Sequence, residues 1–129
     1  MEFNLRIGME AEVEALVDEN STAAKFGSGG IEVYATPMMV GLMENAALTA
    51  VDKELGEEYS TVGINVNVNH IAATPVGMKV KALAKLVKIE GKKLYFEVEA
   101  YDEKKQIGKG RHTRYIVDSK KFLEKVKEL

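Results

Sequence analysis

Tyr34–Val51, YATPMMVGLMENAALTAV, decides how the rest of the 129-residue chain is read. Thr36 before Pro37 is a helix-start signal. A threonine hydroxyl is suited to cap an orphan N–H, and proline tolerates the first helical turn, where its missing donor costs nothing. Met39, Leu42, Met43, Ala46, Ala47 and Ala50 recur at helical spacing. The opposite side, with Met38, Val40, Gly41 and Leu48, is also apolar, so the pattern predicts a helix buried all round. Glu44 lies in the middle of it. A buried carboxylate needs a donor or a shifted pKa, so Glu44 is either a structural hydrogen-bonding residue or a working one.

Working outward, the helix is expected to end near Leu55–Gly56. Before it, Glu10, Glu12 and Glu14 alternate with Ala11, Val13 and Ala15, a strand with one wet face within residues 3–17. Asp18–Gly30, DENSTAAKFGSGG, reads as a loop with a short helical turn at Thr22–Phe26. Phe26, its one large apolar residue, suits either a lid over a pocket or a plain connection. After the helix, Thr61–Ile71 places Ile64, Val66, Val68 and His70 on one face and Asn65, Asn67 and Asn69 on the other. His70 thereby ends an apolar row beside a turn, where a core histidine and a functional one are both reasonable.

Strands over Met78–Glu90, Leu94–Asp102 and Gln106–Val117 follow, with hairpin turns at Gly91 and Asp102–Lys105. Gly108 and Gly110 suggest a bulge or a close backbone approach. Ser119–Leu129 reads as an amphipathic helix with Ser119 as its N-cap. The expectation is a single α+β domain: a strand, a buried helix, then four strands as a meander, with about five antiparallel strands wrapped around the helix. Open sheet edges in such a fold call for a second copy, so a homodimer is expected.

Composition narrows the chemistry. Cysteine is absent, which excludes disulfides, thiolate metal sites and a cysteine nucleophile. Two histidines without ligand spacing predict no metal site. Residues 1–60 carry 12 acids against 3 bases and residues 61–129 carry 8 against 15, an asymmetry that suits complementary surfaces. No basic cluster is interleaved with aromatics, so nucleic acid is not expected. The N-terminus lacks the apolar core of a signal peptide, and no membrane segment is expected, which makes a cytoplasmic protein the default.

Three stretches, ATPMMVGLMENAA, VNHIAATPVGMKV and GKGRHTRYIV, carry a resemblance over roughly residues 5–118. The chain resembles hot-dog-fold acyl-CoA thioesterases, and among them the fluoroacetyl-CoA thioesterase-like group. The resemblance implies a hot-dog fold and a catalytic set of Thr36, Glu44 and His70. It also implies that Gly63 and Arg114 line the acyl pocket and that coenzyme A enters only as part of the substrate, with no separate cofactor; Phe26, the lid candidate, is taken from the loop itself as a third substrate-binding residue. The segment before the helix does not reproduce that group's aromatic lid, and Asn45 replaces a bulky aromatic, so fluoroacyl selectivity is not expected. On one straight helix Thr36 and Glu44 stand about 12 Å apart, so either the chain at Thr36 bends back from the axis or the site is completed across a subunit boundary; the resemblance to hot-dog thioesterases, which place sites at the dimer interface, favours the second. A non-catalytic acyl-CoA binder on the same fold is the alternative. A hydratase, which needs a nearby Asp and His pair, is disfavoured.

Overall fold

The computed structural model describes residues 3–129. Strand β1 (Glu10–Leu16) leads through a short 3-10 turn and a one-turn helix α1 (Ala23–Phe26) into the central helix α2 (Thr36–Val51). Strands β2 (Tyr59–His70), β3 (Lys79–Glu90), β4 (Lys93–Tyr101) and β5 (Gln106–Asp118) follow, and α3 (Ser119–Glu128) closes the chain. A curled antiparallel sheet of five strands wraps one long helix, which is the hot-dog architecture.

The strand order is β1-β3-β4-β5-β2. Only β3, β4 and β5 form a meander. The expected four-strand meander is therefore corrected: β2 crosses the end of the sheet and pairs with β5 as an edge strand. The crossing segment, Ala72–Met78, is tied at both flanks. Tyr34 N donates to Thr74 O at 2.9 Å. Thr74 Oγ1 donates to Asp102 Oδ2 at 2.9 Å, and Lys105 Nζ donates to the same oxygen at 2.7 Å. Burial alone would raise the Asp102 carboxyl, but donors from Lys105, Lys104 and Thr74 outweigh it and hold the group at about 2.

The core forms where alternation and helical spacing converge. Val80, Ala82, Ala84 and Leu86 of β3 and Leu94, Phe96, Val98 and Ala100 of β4 are buried beneath Met39, Met43, Ala46, Ala47 and Ala50 of α2. Burying each large side chain contributes about 1.5–3 kcal/mol. The expected close approach at the β5 glycines is real. A Cβ on Gly108 would stand 2.5 Å from Met39 Sδ, and one on Gly110 would run into Asn67 O of β2. These glycines let α2 and β2 sit close to β5. Gly91, at φ 63°, makes the tight β3–β4 turn that a side chain would resist.

Four local expectations change. The α2 N-cap is Ala35, without a side-chain cap, so Thr36 is the first helical residue and its hydroxyl is free for another partner. Asp118, not Ser119, caps α3: its carboxylate accepts from Lys121 N at 3.1 Å. The helix is not buried all round within one chain, since Met38, Gly41, Asn45 and Thr49 are exposed. Ile64 and Val66, expected to face the core, are 50% and 40% exposed on the edge strand. Among the described residues no helix is long and apolar enough to cross a membrane, and no group of three or more His, Asp and Glu converges as a metal site.

Candidate active site

The predicted residues fall into two clusters at opposite ends of β2. The first joins Thr36 and His70. Because Thr36 does not cap α2, its hydroxyl turns toward the last residue of β2, and Thr36 Oγ1 lies 2.7 Å from His70 Nδ1. His70 is half-buried, and its Nε2 is buried with no protein partner in the chain. Desolvation lowers the imidazole pKa below its ordinary 6.5, with the Ala72 backbone pulling the other way. The ring is therefore neutral near pH 7. With the proton on Nε2, a neutral ring can accept from the threonine hydroxyl at Nδ1.

The pair forms one wall of a cavity of about 370 Å³, with Ser28, Tyr34 and Ala72 on the others. Burial pushes the Tyr34 phenol up to about 12, so it stays protonated. The start of α2 offers few free backbone donors. Pro37 has no N–H, and Met38 N and Met39 N both donate to Ala35 O. Among the described residues of this turn, the Thr36 N–H is left without a protein acceptor.

The second cluster holds Glu44, Gly63 and Arg114. Glu44 leaves α2 two turns after Thr36 and lays its carboxylate over Gly63: a Cβ there would stand 2.9 Å from Glu44 Oε2. Only glycine leaves that space. Arg114 NH1 lies 4.0 Å from the same oxygen, and the Glu44 side chain is 39% exposed, so the acid opens to the surface beside β2 and is not embedded within one chain. Beneath it, Arg114 is 5% exposed and fully held. Its Nε donates to Thr61 Oγ1 at 2.7 Å, NH2 to Thr61 O at 2.9 Å, and NH1 to His112 Nε2 at 3.1 Å.

Sequence reasoning missed the depth of this second cluster. Asp52, Thr61 and His112 were not predicted to join it. Thr61 Oγ1 donates to Asp52 Oδ1 at 2.6 Å, and His112, 1% exposed, donates from Nδ1 to Asn65 O at 2.7 Å. The available signal was the alternation of His112, Arg114 and Ile116 on one face of a strand, which buries two polar residues beside one apolar one. Glu44 touches neither Thr36 nor His70 within the chain, as the helical rise requires. Phe26, at the end of α1, is 53% exposed and stands outside the cavity lined by its neighbours Ala23 and Ser28.

Five antiparallel strands curled around one long helix define a hot-dog protein, and the family it matches places it among the thioesterases of this architecture. Residues 17–120 match the fluoroacetyl-CoA-specific thioesterase family, and the chain belongs to that family. It is 40% identical over 97 residues to the fluoroacetyl-CoA thioesterase of Streptantibioticus cattleyicolor, covering 75% of this chain and 70% of that protein. The crystal structure of a fluoroacetyl-CoA-specific thioesterase variant in complex with fluoroacetate and CoA aligns at a TM-score of 0.86 and 33% identity, over 92% of this chain and 99% of that one. A thioesterase superfamily member from Thermus thermophilus aligns at 0.85 and 33% identity, over 95% and 93%. The chain is a thioester hydrolase.

Proposed function

We propose that the chain hydrolyses an acyl-CoA to the free acid and coenzyme A, with Thr36, His70 and Glu44 as the reacting set and Glu44 supplied across a two-fold interface. The observation that carries this is the 2.7 Å contact between Thr36 Oγ1 and His70 Nδ1 beside a buried Nε2 that lacks a partner. His70 Nδ1 takes the hydroxyl proton as Thr36 Oγ attacks the thioester carbonyl. The Thr36 N–H and the positive end of α2 face the oxyanion that forms. When the tetrahedral intermediate collapses, the C–S bond breaks and His70 returns the proton to the thiolate. Water, activated by the same imidazole, then releases the acid from Thr36.

The dimer supplies the missing acceptor. β2 is an unpaired edge whose residues 63–67 are all exposed, two of them the apolar Ile64 and Val66. Such an edge is covered most simply by its own copy, antiparallel about a two-fold axis. An axis between Val66 and Asn67 sets Gly63 opposite the partner subunit's His70. Glu44, which lies over Gly63, then reaches that imidazole and accepts from Nε2–H, completing the Thr–His–Glu order. Each dimer holds two such sites.

The test is release of thiol from a panel of acyl-CoAs, read with a thiol reagent. The absence of cysteine removes protein background. Wild-type turnover with loss of a hundredfold or more in His70→Ala and in Glu44→Ala is expected. Ile64→Lys is expected to yield inactive monomers by sedimentation. Turnover that survives in His70→Ala, or a fully active monomer, defeats the assignment, and tight CoA binding without turnover favours a regulator.

A further inference from the structure

The mechanism above leaves one buried imidazole unused. His112 lies beneath Glu44, 1% exposed, and its two ring nitrogens do different jobs. Arginine has no acceptor atom, so the 3.1 Å contact with Arg114 NH1 requires the lone pair of His112 Nε2. The proton is therefore on Nδ1, which donates to Asn65 O at 2.7 Å. Asn65 is the residue at which the pairing of β2 with β5 shifts register after Gly63. One tautomer thus joins the guanidinium to the irregular point of the edge strand. From the other side, Asp52 Oδ1 accepts from Thr61 Oγ1, which accepts from Arg114 Nε. The guanidinium is held on three nitrogens, and NH1 also lies 4.0 Å from Glu44 Oε2 as an ion pair. The charged and titratable groups around His112 are Arg114 on its own strand and Glu44 on α2, with Asp52 beyond Thr61.

We infer that His112 is a positioning residue: it aims Arg114 at Glu44 and so fixes where that carboxylate stands for the reaction. The inference rests on the reading that Glu44 takes part in turnover. A group that serves only to hold the sheet would need just the bond to Asn65. The second bond, to Arg114, ties the ring to the carboxylate, as outer hydrogen-bonding partners do for working side chains elsewhere.

Two substitutions separate the bonds. In His112→Asn the short amide reproduces the donor to Asn65 but cannot reach Arg114. In His112→Gln the longer amide reaches Arg114. We expect His112→Asn to lose tenfold or more in kcat with KM within twofold, and His112→Gln to stay within threefold of wild type. In a Glu44→Gln background, His112→Asn should cost nothing further, because the two act in series. Wild-type kcat in His112→Asn overturns the inference, and so does a loss that multiplies with that of Glu44→Gln. A Glu44→Gln enzyme with wild-type kcat instead removes the underlying role of Glu44, so the two failures are told apart. Should His112→Asn melt below the assay temperature, Asp52→Asn loosens Arg114 from the far end. It must then show the same kcat loss and the same dependence on Glu44, and an unchanged kcat overturns the inference.

Discussion

Adding one methyl group at Gly63 tests the position of Glu44 more sharply than deleting the acid. In Gly63→Ala the new carbon falls 2.9 Å from Glu44 Oε2, 3.1 Å from His112 Cε1 and 3.4 Å from Arg114 NH1. Non-bonded carbon contacts settle near ~3.5 Å. His112 and Arg114 are pinned by their hydrogen bonds, so the flexible Glu44 side chain yields, by roughly 0.5 Å toward the surface. A misplacement of ~1 Å at a reacting group costs on the order of a hundredfold. Half of that should cost about tenfold in kcat, or ~1.4 kcal/mol. Stability should hardly change. Gly63 does not have a positive φ, so alanine is compatible with its backbone. A rotamer cost of ~0.5–1.5 kcal/mol is offset by ~0.4–1 kcal/mol from restricting the unfolded chain. Thiol release and a thermal melt give both readings: kcat down about tenfold, Tm within about 5 °C. A folded Gly63→Ala enzyme with kcat within twofold of wild type would show that the carboxylate does not work from its seat over Gly63.

Three more outcomes follow from the geometry. Thr36→Ala should lose on the order of a hundredfold in kcat yet little stability, because Ala35 occupies the cap position; a drop of ~1 kcal/mol in a denaturant melt would instead mark a capping threonine. The rate should fall on the acid side with a half-point below 6.5, since burial depresses His70 and the neutral ring is the base. The same depression means His70 contributes stability above pH 6.5 that is lost as pH falls toward its lower folded value; a half-point above 7 contradicts the assignment. Asp102, held at about 2 against an ordinary 3.8, contributes stability above pH 3.8 that is lost as pH falls toward 2. Denaturant melts of wild type and Asp102→Asn should therefore differ at pH 5 and converge near pH 2.

Much of the fold could be read locally. The central helix, all five strands and the β3–β4 turn follow from spacing of two or 3.6 and from glycine, and the faces of β3 and β4 match the buried set. Strand order could not be read that way. Alternation tells which side of β2 is apolar but not which strand lies beside it, and adjacency in sequence wrongly favoured β3 over β5. That one fact hid the second cluster, because Thr61, Asn65, His112 and Arg114 meet only through the β2–β5 register. The Thr36 hydroxyl was ambiguous for a different reason. Capping and base-paired threonines look the same in sequence, and only the position of His70 at the far end of β2 separates them.

The helix that looked buried on every side is explained by the same edge strand. Its sheet-facing residues are covered by β3 and β4, whereas Met38, Ile64 and Val66 stay partly open in one chain, and Glu44 opens beside β2. An apolar pattern with one acid in it would be wasteful for a helix that meets only its own sheet. It is what a chain needs if a second surface meets the Glu44 side. That surface must bring a donor for the carboxylate and acceptors for an unpaired edge. The free edge of β2 carries backbone donors and acceptors, and its last residue carries a buried Nε2 without a hydrogen-bond partner. The requirements of Glu44 and of His70 are complementary, and the proposed antiparallel pairing of β2 with its own copy would meet both.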